Sequence, residues 1–204
     1  RSREVFIPLS HKPGHAQVDF GEADGIIVGS KSVSTLAAAA GCGAAPPAGD
    51  GGGTTWVRSL SVGGVVLEAE LAMVRGRSAV GVVHTLVDPG GAQDVALELT
   101  ALATWRDVHG ERFGTGEPAV DVAADGFVFE GAYRVRGPGF EPVGEWYRGV
   151  FHAEEAARGL NPVEDLWCAG RFHARLEPGR PVTVEAWAQP GAGDPPPDAG
   201  VIVA

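Results

Sequence analysis

From Thr55 to Trp187 the chain is a succession of short apolar runs that alternate with polar residues and break at glycine- or proline-bearing turns. A period of two over so many short segments is the signature of strands with one buried face. Trp56, Val66, Leu67, Leu71 and Met73 fall in two runs divided by Gly63-Gly64. Ala79–Val87 and Val95–Ala103 follow, joined through Asp88-Pro89-Gly90-Gly91, whose residues suit a tight turn, and read as an antiparallel pair. Val120–Ala123, Phe127–Glu130 and Ala132–Val135 are shorter, with Asp125-Gly126 marking a two-residue hairpin turn. Phe172–Leu176 and Val182–Trp187, separated by Glu177-Pro178-Gly179-Arg180, make a last hairpin. Strands this short, at this spacing, predict an all-β fold, an antiparallel β-sandwich. One short helix interrupts a long connection. Ala153–Arg158 sets Glu154 and Arg158 at i,i+4, Gly159 suits the left-handed C-terminal position, and Asn161-Pro162 prevents continuation.

The 31 Gly and 15 Pro agree with a turn-rich β domain rather than a helical one. With 204 residues and 44% hydrophobic content, the chain can bury one good core and carry an appendage. A net charge of -10 argues against coating a DNA backbone, which requires clustered Lys and Arg. Cys42 and Cys168 stand far apart and outside any CxxC or Cys/His cluster, so neither a disulfide scaffold nor a zinc site is expected. No apolar run reaches the roughly 18–20 residues that span a bilayer, and the polar N-terminus lacks the apolar centre of a signal peptide. The expected location is the cytoplasm.

Composition divides the chain. Both lysines, Lys12 and Lys31, and three of the four isoleucines, Ile7, Ile26 and Ile27, precede residue 32. Residues 1–31 therefore read as an extended leader of separate origin, and 32–53, rich in Ala, Gly and Pro, as a flexible linker in which Ser34–Ala40 can form a brief helix ended by Gly41. The sandwich is assigned to 54–188 and a Pro/Gly-rich tail to 189–204.

Two segments carry ordered motifs: Thr104–Gly110, TWRDVHG, and Gly144–Gly170, with Trp-Tyr, a charged helical turn, Arg-Gly-Leu and Glu-Asp-Leu in succession. Together with the strand pattern, Thr54 to Trp187 resembles the N-terminal domain of bacterial and archaeal glycogen debranching enzymes. That resemblance implies a domain packed against an (α/α)6 barrel whose own carboxylates hydrolyse α-1,6-glucosidic branches, with no cofactor. It places Trp146–Trp167 near the interface with that barrel. Trp105, His109, Trp146, Tyr147, Glu164, Asp165 and Trp167 are then the candidate contacts to α-glucan or to the barrel, since aromatic faces stack on sugars and also anchor interfaces. The family's Asn-Gly-Gly-Tyr-type opening and Tyr-His-Gly-Leu strand are not found before Thr54. Missing first strands would expose a sheet edge and favour marginal stability or aggregation.

The same residues read poorly as catalysts. Glycoside hydrolysis needs two carboxyl groups facing each other at about 5–5.5 Å or about 6.5–9.5 Å. Glu164 and Asp165 are adjacent, so an extended backbone points them to opposite faces, where salt bridges or turn caps suit them better. Asp107 and His109 lack a nucleophile in a recognisable setting and fit a loop-ordering hydrogen bond. The glycines of Gly110–Gly116 match neither a phosphate loop nor GxGxxG.

Val5–Ala23, VFIPLSHKPGHAQVDFGEA, resembles the start of the catalytic core of an integrase-like DDE insertion-sequence transposase, with Asp19 at the position of the first metal-binding aspartate. Two-metal phosphoryl transfer needs further carboxylates to hold ions about 3.5–4 Å apart, and the motif is lost after Ile26-Ile27, so Asp19 alone forms no metal site. The leading expectation is a non-catalytic debranching-enzyme domain, truncated before its barrel. A DDE transposase fragment and a stand-alone glucan-binding module are the alternatives.

Overall fold

The structure is a computed structural model and describes residues 22–28, 31–35, 55–62, 64–73, 79–106 and 110–188. Strand periodicity translates into twelve strands and one helix among them. In chain order these are β1 (Glu22–Val28), β2 (Lys31–Thr35), β3 (Thr55–Val62), β4 (Val65–Met73), β5 (Ala79–Asp88), β6 (Val95–Ala103), β7 (Val120–Ala123), β8 (Gly126–Phe129), β9 (Tyr133–Arg136), β10 (Phe140–Phe151), α1 (Ala153–Ala157), β11 (Val163–Leu176) and β12 (Val182–Ala188). They form a five-stranded sheet, β10-β11-β6-β1-β2, and a seven-stranded sheet, β3-β4-β5-β12-β9-β8-β7. All pairings are antiparallel. The all-β sandwich read from the sequence is the fold.

Alternate residues of both sheets fill the space between them. At one end Val65 and Leu67 of β4 and Leu86 of β5 meet Val95 and Leu97 of β6 and Leu176 of β11, an aliphatic cluster. At the other, Phe127, Phe129, Tyr133, Val135, Val184 and Ala186 of the larger sheet meet Ala103, Trp167, Ala169 and Phe172 of the smaller, an aromatic cluster. Cys168 is fully buried, and burial pushes its thiol up to about 11, so it behaves as a packing residue.

The β3–β4 hairpin closes around Gly64, which takes a positive φ of 89°. The expected pairing of Ala79–Val87 with Val95–Ala103 does not occur: β5 bonds β4 and β12, whereas β6 bonds β11 and β1 in the other sheet. Residues 89–94 carry the chain across the core, because Leu86 and Val95 face each other in the aliphatic cluster. A sequence shows a turn there but not whether the turn stays in one sheet. The last expected hairpin fails for the same reason. β11 and β12 lie in different sheets, linked by a connection whose only ladder contact is the isolated Glu177–Arg180 bridge.

The hairpin turn assigned to Asp125-Gly126 is shifted by one residue. Ala123 pairs with Gly126, so Ala124 and Asp125 form the turn. Gly126 opens β8 at φ 151°, where a Cβ would strike the Val135 carbonyl oxygen. The helix lies where expected, with Gly159 at φ 76°, although Arg158 approaches Glu155 at 3.9 Å and the Glu154 side chain is outside the described residues. Ser34 and Thr35, expected at the start of a linker helix, belong to β2. The segment read as a long connection holds the two longest strands, β10 and β11, which pair around α1. Bulges between Pro142 and Glu145 and between Tyr147 and Val150 interrupt their alternation, and buried acids in β11 mask its apolar pattern.

Candidate functional site

β11 is longer than its neighbour: beyond the Trp167–Ala103 pair, β6 has ended and β11 continues back to Val163. The chain that follows β6 fills the vacated side, and the Asp165 amide donates to the Arg112 carbonyl at 2.7 Å. Asp165 then organises this loop through its side chain. One carboxylate oxygen accepts from the Gly149 amide at 2.9 Å, and the other from the Gly114 amide at 2.9 Å and from Arg148 at 2.7 Å. These donors, the two amides foremost, hold the Asp165 carboxyl below the usual carboxylate range.

Trp146, on β10, packs against the same loop. Its indole N–H donates to the Gly116 carbonyl at 2.7 Å, and the guanidiniums of Arg112 and Arg148 stand 5.6 and 5.4 Å from its ring centroid. Gly114 passes so close that a Cβ there would overlap the indole. The ring meets Trp167 edge-on at 5.2 Å, and Trp167 is itself core. Arg112 is fixed in turn by a two-pronged pair with Glu130 at 2.7 and 2.6 Å. Glu130 has a φ of 48°, the one non-glycine residue with positive φ among the described residues, in a tight turn closed by the Ala132 amide donating to the Phe129 carbonyl.

Glu164 points the other way, as an extended backbone requires. It is 2% exposed and receives a bidentate fork from Arg106, both bonds 2.8 Å, with His152 Nε2 3.0 Å from the same carboxylate. Arg106, Gly110, Glu111, His152, Glu155, Asn161, Val163 and Glu164 enclose a cleft of about 10 Å³, room for one water and too small for a sugar ring. Among the described residues no group of three or more His, Cys, Asp or Glu could hold a metal ion, and no helix is long and apolar enough to cross a membrane.

Of the candidates named from the sequence, Trp146, Glu164, Asp165 and Trp167 meet at this end of β11, together with Trp105, which is 37% exposed and 6.4 Å from the Tyr133 ring. Tyr133 is buried, its phenol pushed up by desolvation and donating to the Thr104 carbonyl at 3.2 Å. Tyr147 is half-buried and lies opposite Leu166, with its phenol hydrogen-bonded to Arg171. His109, with Asp107, and Asp19 lie outside the described residues. Sequence reading missed the partners: Arg106, Arg112, Glu130, Arg148 and His152. The available signal was chemical, because two acids inside an apolar strand require cations.

Residues 54–183 match the family described as glycogen debranching enzyme N terminal, a span running from the edge of β3 into β12 and taking in every element of this site. No curated protein matches the chain. The matched span is more than half of the 204 residues, and the chain belongs to the glycogen debranching enzyme N-terminal family.

Proposed function

We propose that the chain acts as the non-catalytic N-terminal domain of an amylo-1,6-glucosidase-type debranching enzyme, docking against an (α/α)6 catalytic barrel and helping to shape the glucan entrance. The observation that carries this reading is the state of its carboxylates. Glu164 and Asp165 are saturated by cations and amides and face opposite ways, so they act as internal braces. Trp146 and Trp167 are likewise committed to the loop and the core. What remains for a partner is exposed: Trp105 at 37%, Phe113 at 60%, Phe151 at 55% and Leu160 at 37%. Glycogen as the substrate class puts the parent enzyme in the cytoplasm.

Exposed Trp105 and Phe113 also favour a second reading, a module that holds glucan directly. Affinity electrophoresis through glycogen separates the two. An accessory domain that meets only the barrel migrates as it does without glycogen. Retardation that Trp105→Ala abolishes and Val87→Ala preserves replaces it with the glucan-binding module. The DNA-transposition alternative rests on the leader around Asp19 and requires salt-sensitive DNA binding, which the net charge of -10 opposes.

A further inference from the structure

At the Leu176 end of β11 the chain changes sheets twice. Residues 137–139 lead from β9 in the larger sheet to β10 in the smaller, and 177–181 lead from β11 back to β12. The first crossover is pinned by the Gly137 amide on the Asp125 carbonyl at 2.9 Å and by the His173 amide on the Gly139 carbonyl at 3.2 Å; the second is pinned by the Arg180 amide on the Glu177 carbonyl at 3.1 Å. Gly137 lies directly on the core, where a Cβ would meet the Phe172 and Val184 side chains at 2.9 and 3.0 Å. Both crossovers border an open cleft of about 550 Å³, inside the range of about 300–1,000 Å³ that holds small ligands. Arg175 at its rim is roughly 35 Å along β11 from Glu164, at about 3.3 Å per residue, so this cleft is separate from the Trp146 end.

The lining is charged but balanced: Arg136, Arg175 and Arg180 share it with Asp125, Glu177 and Glu185. Most of these groups are tied down. Glu185, 4% exposed, holds Arg136; Asp125 holds Arg134 at 2.6 Å; Arg175 reaches Asp94 at 2.9 Å. Arg180 and Glu177 differ, standing 3.6 Å apart, beyond good hydrogen-bond length, with side chains 80% and 54% exposed. An anion entering here would meet as many carboxylates as guanidiniums on a chain of net charge -10, and a cation would meet the guanidiniums, so neither gains from the field. A neutral, hydroxyl-rich ligand does fit, because each hydroxyl accepts from a guanidinium and donates to a carboxylate beside it. Thr183 adds a hydroxyl, and Pro138 and Pro181 offer apolar edges to the C–H faces of a sugar.

We infer that this cleft is an oligosaccharide-binding site, with Arg180, Glu177 and Thr183 as its hydrogen-bonding groups. Its preference for a neutral sugar rests on the cleft; that the sugar is an α-glucan rests on the debranching-enzyme reading. A domain that meets a barrel at the Trp146 end would then hold an outer glucan chain at the other.

Titration of the full chain with maltohexaose, followed through backbone amide shifts, tests both parts. Saturable shifts are expected at Arg136, Gly137, Arg175, Glu177 and Thr183. Arg180→Ala and Thr183→Val should each weaken binding about fivefold at an unchanged unfolding midpoint, while Trp105→Ala leaves it as it was. Cellohexaose bound there in place of maltohexaose would keep the sugar site and count against the debranching-enzyme reading. Maltohexaose shifts confined to Trp105 and Phe113 would spare that reading and overturn the cleft. Unchanged affinity in both cleft variants, no saturable shift with either sugar, or inorganic phosphate shifting the same amides more strongly than the sugars would also overturn it.

Discussion

The two ends of the sandwich are built from different chemistry. The aliphatic end holds Val65, Leu67, Leu86, Val95, Leu97 and Leu176, with no ion pair in the cluster, and its stability comes from area removed from water. The aromatic end packs Phe127, Phe129, Tyr133, Trp167 and Phe172 and then continues into Trp146 and a set of braced carboxylates. Burial without direction suffices at the first end. The second needs particular donors at particular distances, because an unpartnered carboxylate as buried as Glu164 costs several kcal/mol. Architecture is carried by one end and the shape of a surface loop by the other.

The largest expected effect lies at the aliphatic end. Leu67 is fully buried between the sheets, and Leu67→Ala should lower unfolding stability by about 4 kcal/mol in urea titrations. A loss under 1 kcal/mol would show that this end is looser than its burial indicates. Next comes His84, 1% exposed on β5, whose ring nitrogens find no partner in good hydrogen-bond geometry. Burial drives its pKa down to about 4, only partly opposed by the Val182 backbone. The folded state therefore binds fewer protons than the unfolded chain below pH 6.5. Stability should be complete above that value and fall by about 3 kcal/mol as the pH drops to 4. His84→Leu should flatten that slope; an unchanged slope assigns it elsewhere.

At the aromatic end, Arg106→Met removes the fork from Glu164 but leaves His152 beside it, and should cost about 3 kcal/mol. If it exceeds Leu67→Ala, the contrast between the ends is inverted. The smallest effect is the most local. Asp165→Asn loses acceptor capacity for Gly114, Gly149 and Arg148 and should release residues 110–117, seen as a red-shifted Trp146 emission with little change in the unfolding midpoint. Since the Asp165 pKa is depressed in the folded state, acid should loosen this loop only below the ordinary carboxylate range, after the His84 transition is over. Coincident transitions would mean that the two ends unfold as one.

This contrast also explains what was legible in the sequence. Strands whose pattern alternates, such as β4, β6 and β12, could be read directly, and so could α1 with its Gly159 stop. Sheet membership could not, because the Asp88–Val95 and Leu176–Val182 connections carry the same turn residues whether they fold back on one sheet or cross the core. β10 and most of β11 were hidden by bulges and by Glu164 and Asp165, which look like surface acids until Arg106 and Arg148 are seen beside them. Trp146 was readable as important. That its ring serves a loop of its own domain depends on Gly114 and Arg112, distant in sequence, and on Arg148 two residues further along β10.

The two bulges of β10 give the smaller sheet a direction. At that border Gly144 and Gly149 sit at φ 79° and 65°, and Pro142 offers no amide, so an incoming strand meets a bent rail with missing rungs. Edge-to-edge association through this sheet is left only the opposite border, β2, and a molecule with one open border stops at a pair instead of growing into a filament.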